Sequence, residues 1–204
     1  MPRRGSAGIG GERGLVAPSD SNRVRFAEAS VMTIAREATV PLRSDWSADN
    51  CPIARALDVL GDPWSLLILR HALLGGRRYD EFRAALGVAD NVLSRRLTAM
   101  VEAGLLRKVP YRGEKRTHFE YRLTDAGEDT LPVLNALVIW GEKHTMAPIP
   151  GARMGILHRV CGQESTTTDR CSACGGDLRA DDVEWLRSWR TPELSPLVGA
   201  QEGD

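Results

Sequence analysis

Between Tyr79 and Thr124 the chain places two short amphipathic helices with a glycine turn between them and a basic pair of strands after them, and few folds accept that order. The first helix is read over Tyr79–Leu86, where Phe82 and Leu86 stand four residues apart and share a face. Gly87 supplies the turn. The second helix runs from about Asp90 to Ala103 and is stopped by Gly104; at about 3.6 residues per turn, Leu93, Leu97 and Met100 fall on one stripe. The same geometry sends Asn91, Ser94, Arg95 and Thr98 to the opposite side and Arg96 to the flank. A helix that buries leucines and shows amide, hydroxyl and guanidinium groups can enter a major groove, where such groups bond to base edges and phosphates.

After Gly104 the stretch Leu105–Arg112 and the stretch Thr117–Thr124 flank a tip of Gly, Glu, Lys and Arg. Phe119, Tyr121 and Leu123 alternate with His118, Glu120 and Arg122, the period-two pattern of a strand with one buried face. From Arg95 to Arg122 there are eight Lys/Arg against three acids, although the whole chain has a formal net charge of zero. This local excess suits double-stranded DNA. Within it, Asn91 and Arg95 are expected to meet bases, and Arg96, Arg112, Lys115 and Arg116 phosphates. The competing reading is a helix-turn-helix that serves only as a packing unit.

The expected fold class is mainly α with a small β-hairpin wing (α+β), a winged helix-turn-helix carrying a small C-terminal zinc-ribbon-like module. With 204 residues and 42% hydrophobic content, the chain can build one ordinary domain and an appendage. No run of about 18 apolar residues is available to span a membrane, and residues 1–30 lack the apolar core of a secretory signal. A cytoplasmic, nucleoid-associated protein is expected. Residues 1–45, rich in Gly, Ser, Arg and Pro, are read as a disordered arm. Residues 46–145 are read as the DNA-binding and dimerisation domain. In it, Asn50-Cys51-Pro52 opens one helix and Asp62-Pro63-Trp64 the next. Thr124 is expected to cap a long helix reaching about Thr145, with a bend tolerated at Pro132. Leu131, Leu134, Leu137, Val138 and Trp140 make this helix too apolar for a lone surface element, which points to a homodimer reading a near-palindromic site. Packing within the chain is the alternative.

Residues 146–155 read as a linker, residues 156–179 as the zinc-ribbon-like module and residues 180–204 as an acidic tail, partly helical. His158 and Cys161, then Cys171 and Cys174, form two ligand pairs with two residues inside each pair and a glycine after it. That spacing points two donors at one ion, and the four together suit structural zinc. A ribbon of about 20 residues is expected to depend on the metal for its folding energy. The alternatives are a redox pair of Cys171 and Cys174, hence a thiol oxidoreductase, or a zinc-dependent protein-interaction module. No enzymatic constellation is legible: a zinc deaminase needs His-x-Glu and a later Pro-Cys-x-x-Cys, whereas His158 precedes Arg159 and Val160.

Cys51-Pro-Ile53, Gly61-Asp-Pro-Trp64, Leu67-Ile-Leu69, Arg78-Tyr-Asp-Glu-Phe82, Leu93-Ser-Arg-Arg-Leu97, Glu102-Ala-Gly-Leu105, Glu120-Tyr-Arg-Leu-Thr124, Pro132-Val-Leu134 and Trp140-Gly141, taken in this order, resemble the HxlR-type family of bacterial transcriptional regulators. The resemblance covers Cys51 to about His144. It implies a dimeric winged helix of the broader MarR-like class that represses or activates neighbouring genes. It also implies a small-molecule or oxidant effector, since some members sense oxidants, quinones or aldehydes through a cysteine at the position of Cys51. A helix start favours thiolate, which provides a physical reason. The other reading of Cys51 is inert packing.

Overall fold

Both apolar stripes of the helix pair are buried against the helix that precedes them. The computed structural model describes residues 46–112, 117–190 and 194–199. Within these, α1 (Pro52–Leu60), α2 (Pro63–Leu73), α3 (Tyr79–Leu86) and α4 (Asp90–Glu102) lead into a hairpin of β1 (Leu106–Arg112) and β2 (Thr117–Leu123). The expected N-terminal arm and the wing tip carrying Lys115 and Arg116 lie outside the described residues.

The helices begin where their local chemistry dictates. Pro63 occupies the first turn of α2, and the Asp62 carboxylate accepts the Trp64 N–H at 2.9 Å. The Glu81 carboxylate accepts the N–H groups of Arg77 and Arg78 at 2.7 and 2.9 Å, satisfying donors at the start of α3. Leu93, Leu97 and Met100 of α4 are buried in one core with Ile68, Leu69 and Leu73 of α2 and Phe82 of α3.

β1 and β2 are antiparallel, in register from Leu106 opposite Leu123 to Arg112 opposite Thr117. The expected buried face of β2 fades along its length: Leu123 is buried and Tyr121 half-buried, but Phe119 is exposed, with the Lys108 ammonium 4.3 Å from its ring centroid. Among the described residues, Phe119 lies outside the core that buries Leu123 and packs Tyr121.

The single helix expected from Thr124 to about Thr145 is two. The Thr124 hydroxyl does cap, accepting the Gly127 N–H at 3.2 Å, but α5 (Asp125–Glu128) ends at once and α6 (Leu131–His144) starts anew. Pro132 has no N–H to give the Glu128 carbonyl, and its ring crowds that oxygen, so the break falls there.

The expected acidic tail is also corrected. A 3-10 turn over Ala180–Asp182 enters β5 (Val183–Arg187), and β6 (Leu194–Pro196) follows. With β3 (Met154–His158) and β4 (Gln163–Ser165) they form an antiparallel sheet in the order β4-β3-β5-β6. The acids at 182 and 184 obscure the fact that Val183 and Trp185 alternate with them and point inward. Ile156, Leu178, Val183, Trp185 and Leu197 are buried, so this segment has an apolar floor as well as its cysteines.

That floor rests on α6 through a fully buried amide. Asn135 accepts the Trp185 indole N–H at 3.1 Å and donates to the Thr168 carbonyl at 2.9 Å. A second tie comes from the Val198 N–H, which donates to the Leu73 carbonyl at 2.8 Å. Asn135→Ala would leave the buried indole N–H without its acceptor. It is expected to lower the unfolding free energy by about 1–3 kcal/mol, measured by urea denaturation. An unchanged midpoint would show that the bridge does not hold the sheet.

Candidate nucleic-acid interface and metal centre

The side of α4 turned away from the core carries Asn91, Ser94, Arg95 and Thr98, all exposed. Tyr79, at the first position of α3, braces this row: its hydroxyl donates to the Asp90 carbonyl at 2.9 Å and lies 3.2 Å from the Ser94 hydroxyl. Sequence reasoning missed Tyr79, because a tyrosine at a helix start has no periodic signal linking it to the next helix. Helix α3 thereby sets the N-terminal turn of α4, from which a recognition helix reaches bases.

Arg96 belongs elsewhere, contrary to the expectation that it meets phosphate. Its guanidinium is paired with Asp62 at the start of α2, and its side chain is 17% exposed. It lines a crevice with Asp58, Ser65 and Met100 on the α1–α2 side of the helix. The flank of α4 is near enough to α2 for a long side chain to find a carboxylate there, and that pairing offsets the cost of half-burying the guanidinium.

The basic stretch is also partly spent on internal pairs. Glu120 meets Arg122 at 3.2 Å and Arg78 at 3.6 Å. The Arg78 guanidinium stands 4.9 Å from the centroid of the Tyr111 ring, which itself stacks on His118 at 5.5 Å. Among the described residues, Arg95 and Lys108 are left as exposed cations of the reading helix and the wing. Arg112 ends β1, so its backbone leads directly into the tip that holds Lys115 and Arg116.

Two apolar faces are exposed among the described residues. Ile53 and Leu57 of α1 are 69% and 48% exposed, and Leu137 and Trp140 of α6 are 47% and 59% exposed. Cys51 is the exposed N-cap of α1, and its N–H donates to the Asp49 carboxylate at 2.7 Å.

His158, Cys161, Cys171 and Cys174 converge, with their ligand atoms all within 4.8 Å of one another. The His158 Nδ1 lies 3.3 Å from both the Cys161 and Cys174 sulfurs, and the sulfurs of Cys161 and Cys171 are 3.7 Å apart. Donors bound at about 2.1–2.3 Å to one tetrahedral ion stand about 3.5–3.8 Å from each other, so shifts of about 1 Å or less would let this set hold a metal ion. Both knuckles close in the same way. The Gly162 N–H donates to the His158 carbonyl, and the Gly175 N–H donates to the Cys171 carbonyl, each at 2.8 Å. These glycines have φ of 68° and 74°, a conformation in which a side chain would be strained. Backbone N–H groups of Cys174 and Ala173 pull the Cys171 thiol down to about 6, towards the thiolate a metal requires, whereas burial pushes the Cys161 thiol up.

The profile of the HxlR-like helix-turn-helix family matches residues 59–148. The chain is 37% identical over 144 residues to a Mycobacterium tuberculosis protein described as an uncharacterized HTH-type transcriptional regulator, a match covering 71% of this chain and 85% of the relative. A Bacillus subtilis protein described in the same words is 30% identical over 104 residues, covering 49% of this chain and 80% of the relative. Among solved structures, that of PA1607, described as a candidate transcription factor, is similar with a TM-score of 0.55 and 40% identity, covering 68% of this chain and 96% of its own. The mycobacterial match and the likeness to PA1607 are both longer than segment 59–148.

Arg96→Met should lower stability by about 1–3 kcal/mol, between the values for exposed and buried pairs, because it strands the Asp62 carboxylate. The sequence preference on DNA should stay as it is. Thermal melting and a binding-site selection measure the two effects, and a changed preference would return Arg96 to the interface.

Proposed function

The chain belongs to the HxlR-like helix-turn-helix family and is a DNA-binding transcriptional regulator; on that premise we propose that it grips a near-palindromic operator as a homodimer, one α4 in each of two major grooves. The carrying observation is the exposed row of Asn91, Ser94, Arg95 and Thr98, which the buried leucines of the same helix hold outward. Asn91 and Arg95 are assigned to base edges, where an amide and a bidentate guanidinium discriminate best, and Ser94 and Thr98 to bases or the adjoining backbone. Arg112, Lys115 and Arg116 are assigned to phosphates reached by the wing. The uncovered apolar residues of α1 and α6 support the dimer, because a second copy would shield them from water.

Selection of bound sequences from random DNA tests this reading. Arg95→Ala is expected to cost about 1–3 kcal/mol on the selected operator and to relax preference at one position, whereas Lys115→Ala should weaken all sequences and reduce the salt slope by about one. A parent protein that selects nothing, or an Arg95→Ala protein with unaltered preference, overturns the assignment.

For the metal centre the proposal is structural zinc. One imidazole and three thiolates are soft and borderline donors that suit zinc, and four protein ligands leave no position open for substrate. His158 at the end of β3 and the two knuckle turns would be held together by the ion, which supplies cross-linking and no chemistry. About one equivalent of zinc is expected by elemental analysis of protein purified without chelator, and far less in the Cys171→Ser, Cys174→Ser variant. Chelation should loosen residues 158–176 first, because Trp185 keeps its buried hydrogen bond to Asn135 of α6. A parent protein carrying less than about half an equivalent would reject a stable closed site.

Cys51 is proposed as a sensing thiol, on the strength of its exposure at a helix N-terminus. Oxidant or aldehyde should then lower operator affinity in the parent but not in Cys51→Ser. Equal loss in both, with zinc retained, removes it from the switch.

A further inference from the structure

Where α2 meets the C-terminal sheet, three guanidiniums gather and, among the described residues, none of them is joined to a carboxylate. Arg70 lies one turn before Leu73, whose carbonyl receives the Val198 N–H at 2.8 Å. Three residues before Val198, the Ser195 hydroxyl accepts from the Arg187 guanidinium at 2.8 Å. Arg190 closes the turn after β5, its N–H donating to the Arg187 carbonyl at 2.9 Å. Arg70 and Arg187 are half-buried and Arg190 is exposed. The Nε of Arg187 is buried without a hydrogen-bond partner, as is the Nε2 of the neighbouring His71.

The three charges act on one another. Burial, then Arg187 and Arg190, push the Arg70 pKa down, and burial and Arg190 do the same to Arg187. Burial and Arg70 lower His71 as well, which keeps the imidazole neutral beside them. Like charges that share a partly dry site repel, and each lacks part of its solvation; an anion between them relieves both penalties. Guanidinium forks match planar or tetrahedral oxyanions, to which they can give paired N–H bonds.

We propose that Arg70, Arg187 and Arg190 form a binding site for a small free oxyanion, a phosphate ester or a polycarboxylate, between α2 and the end of β5. Arg187 supplies an unused buried N–H, Arg70 a half-buried guanidinium from α2, and Arg190 an exposed one from the turn after β5. Helix α2 also packs on α4, so the ligand would bind behind the reading helix at the seam that the C-terminal sheet makes with the winged helix. The site does not depend on the operator reading, because its test contains no operator.

The full-length protein is titrated with inorganic phosphate and, separately, citrate, with sodium chloride holding ionic strength constant; calorimetry and melting temperature are followed. Saturable binding at one site and a rise in melting temperature are expected. Arg70→Gln and Arg190→Gln should each weaken binding by about tenfold or more. Without phosphate or citrate, Arg70→Gln should melt no lower than the parent, since it removes one of the repelling charges; a purely structural Arg70 would give a lower value. Arg190 is exposed, so its variant keeps the fold and tests the site even if Arg70→Gln does not fold. Absence of saturation, or equal affinity in parent and Arg190→Gln, means an adventitious ion only and overturns the proposal. One further result would overturn it by naming another occupant: displacement of phosphate by duplex DNA would assign the guanidiniums to the DNA backbone.

Discussion

Burial of Leu93, Leu97 and Met100 against α2 and α3 is the constraint from which the rest of the reading head follows. A helix has one way to turn an apolar stripe inward, so seating those three side chains also decides that Asn91, Ser94, Arg95 and Thr98 face outward. Tyr79 and the Arg96–Asp62 pair then limit rotation and sliding of α4, the first from α3 and the second from α2. A recognition helix needs such restraint, because a bidentate bond to a base tolerates little displacement.

The C-terminal sheet is bound to this head by polar and apolar contacts together. Asn135 can lie fully buried on α6 because both ends of its amide are used, one by Trp185 and the other by Thr168. Thr168 lies in the segment between Cys161 and Cys171, so the loop between these candidate ligands leans directly on the last helix of the winged domain. The cysteine cluster is accordingly part of one unit with α6, whose outer side bears the exposed Leu137 and Trp140.

Charge is distributed with similar economy. Overall neutrality conceals a basic wing, internal pairs that use Arg78, Arg96 and Arg122, and a group of arginines at the α2–β5 seam. Counting charges along the chain merges these three populations, although the proposal assigns only the first to nucleic acid. What separates them is whether a carboxylate lies within reach in space, as Asp62 does for Arg96.

By itself the sequence determined the helix pair, the wing and the ligand spacing, because each rests on interactions a few residues apart. Phe82 and Leu86, the leucine stripe of α4, the Asp62 cap and the two knuckle glycines all act within a turn or two of chain. Even so, the pattern tolerates only a bend at Pro132, whereas its missing N–H ends one helix and lets α6 start another. Tertiary structure alone decided the rest. That Arg96 pairs with Asp62, that Tyr79 braces Ser94 and that Val183 and Trp185 belong to a sheet under α6 depend on partners distant in sequence. A side chain's partner over that range is set by how whole elements pack, and no local pattern records it.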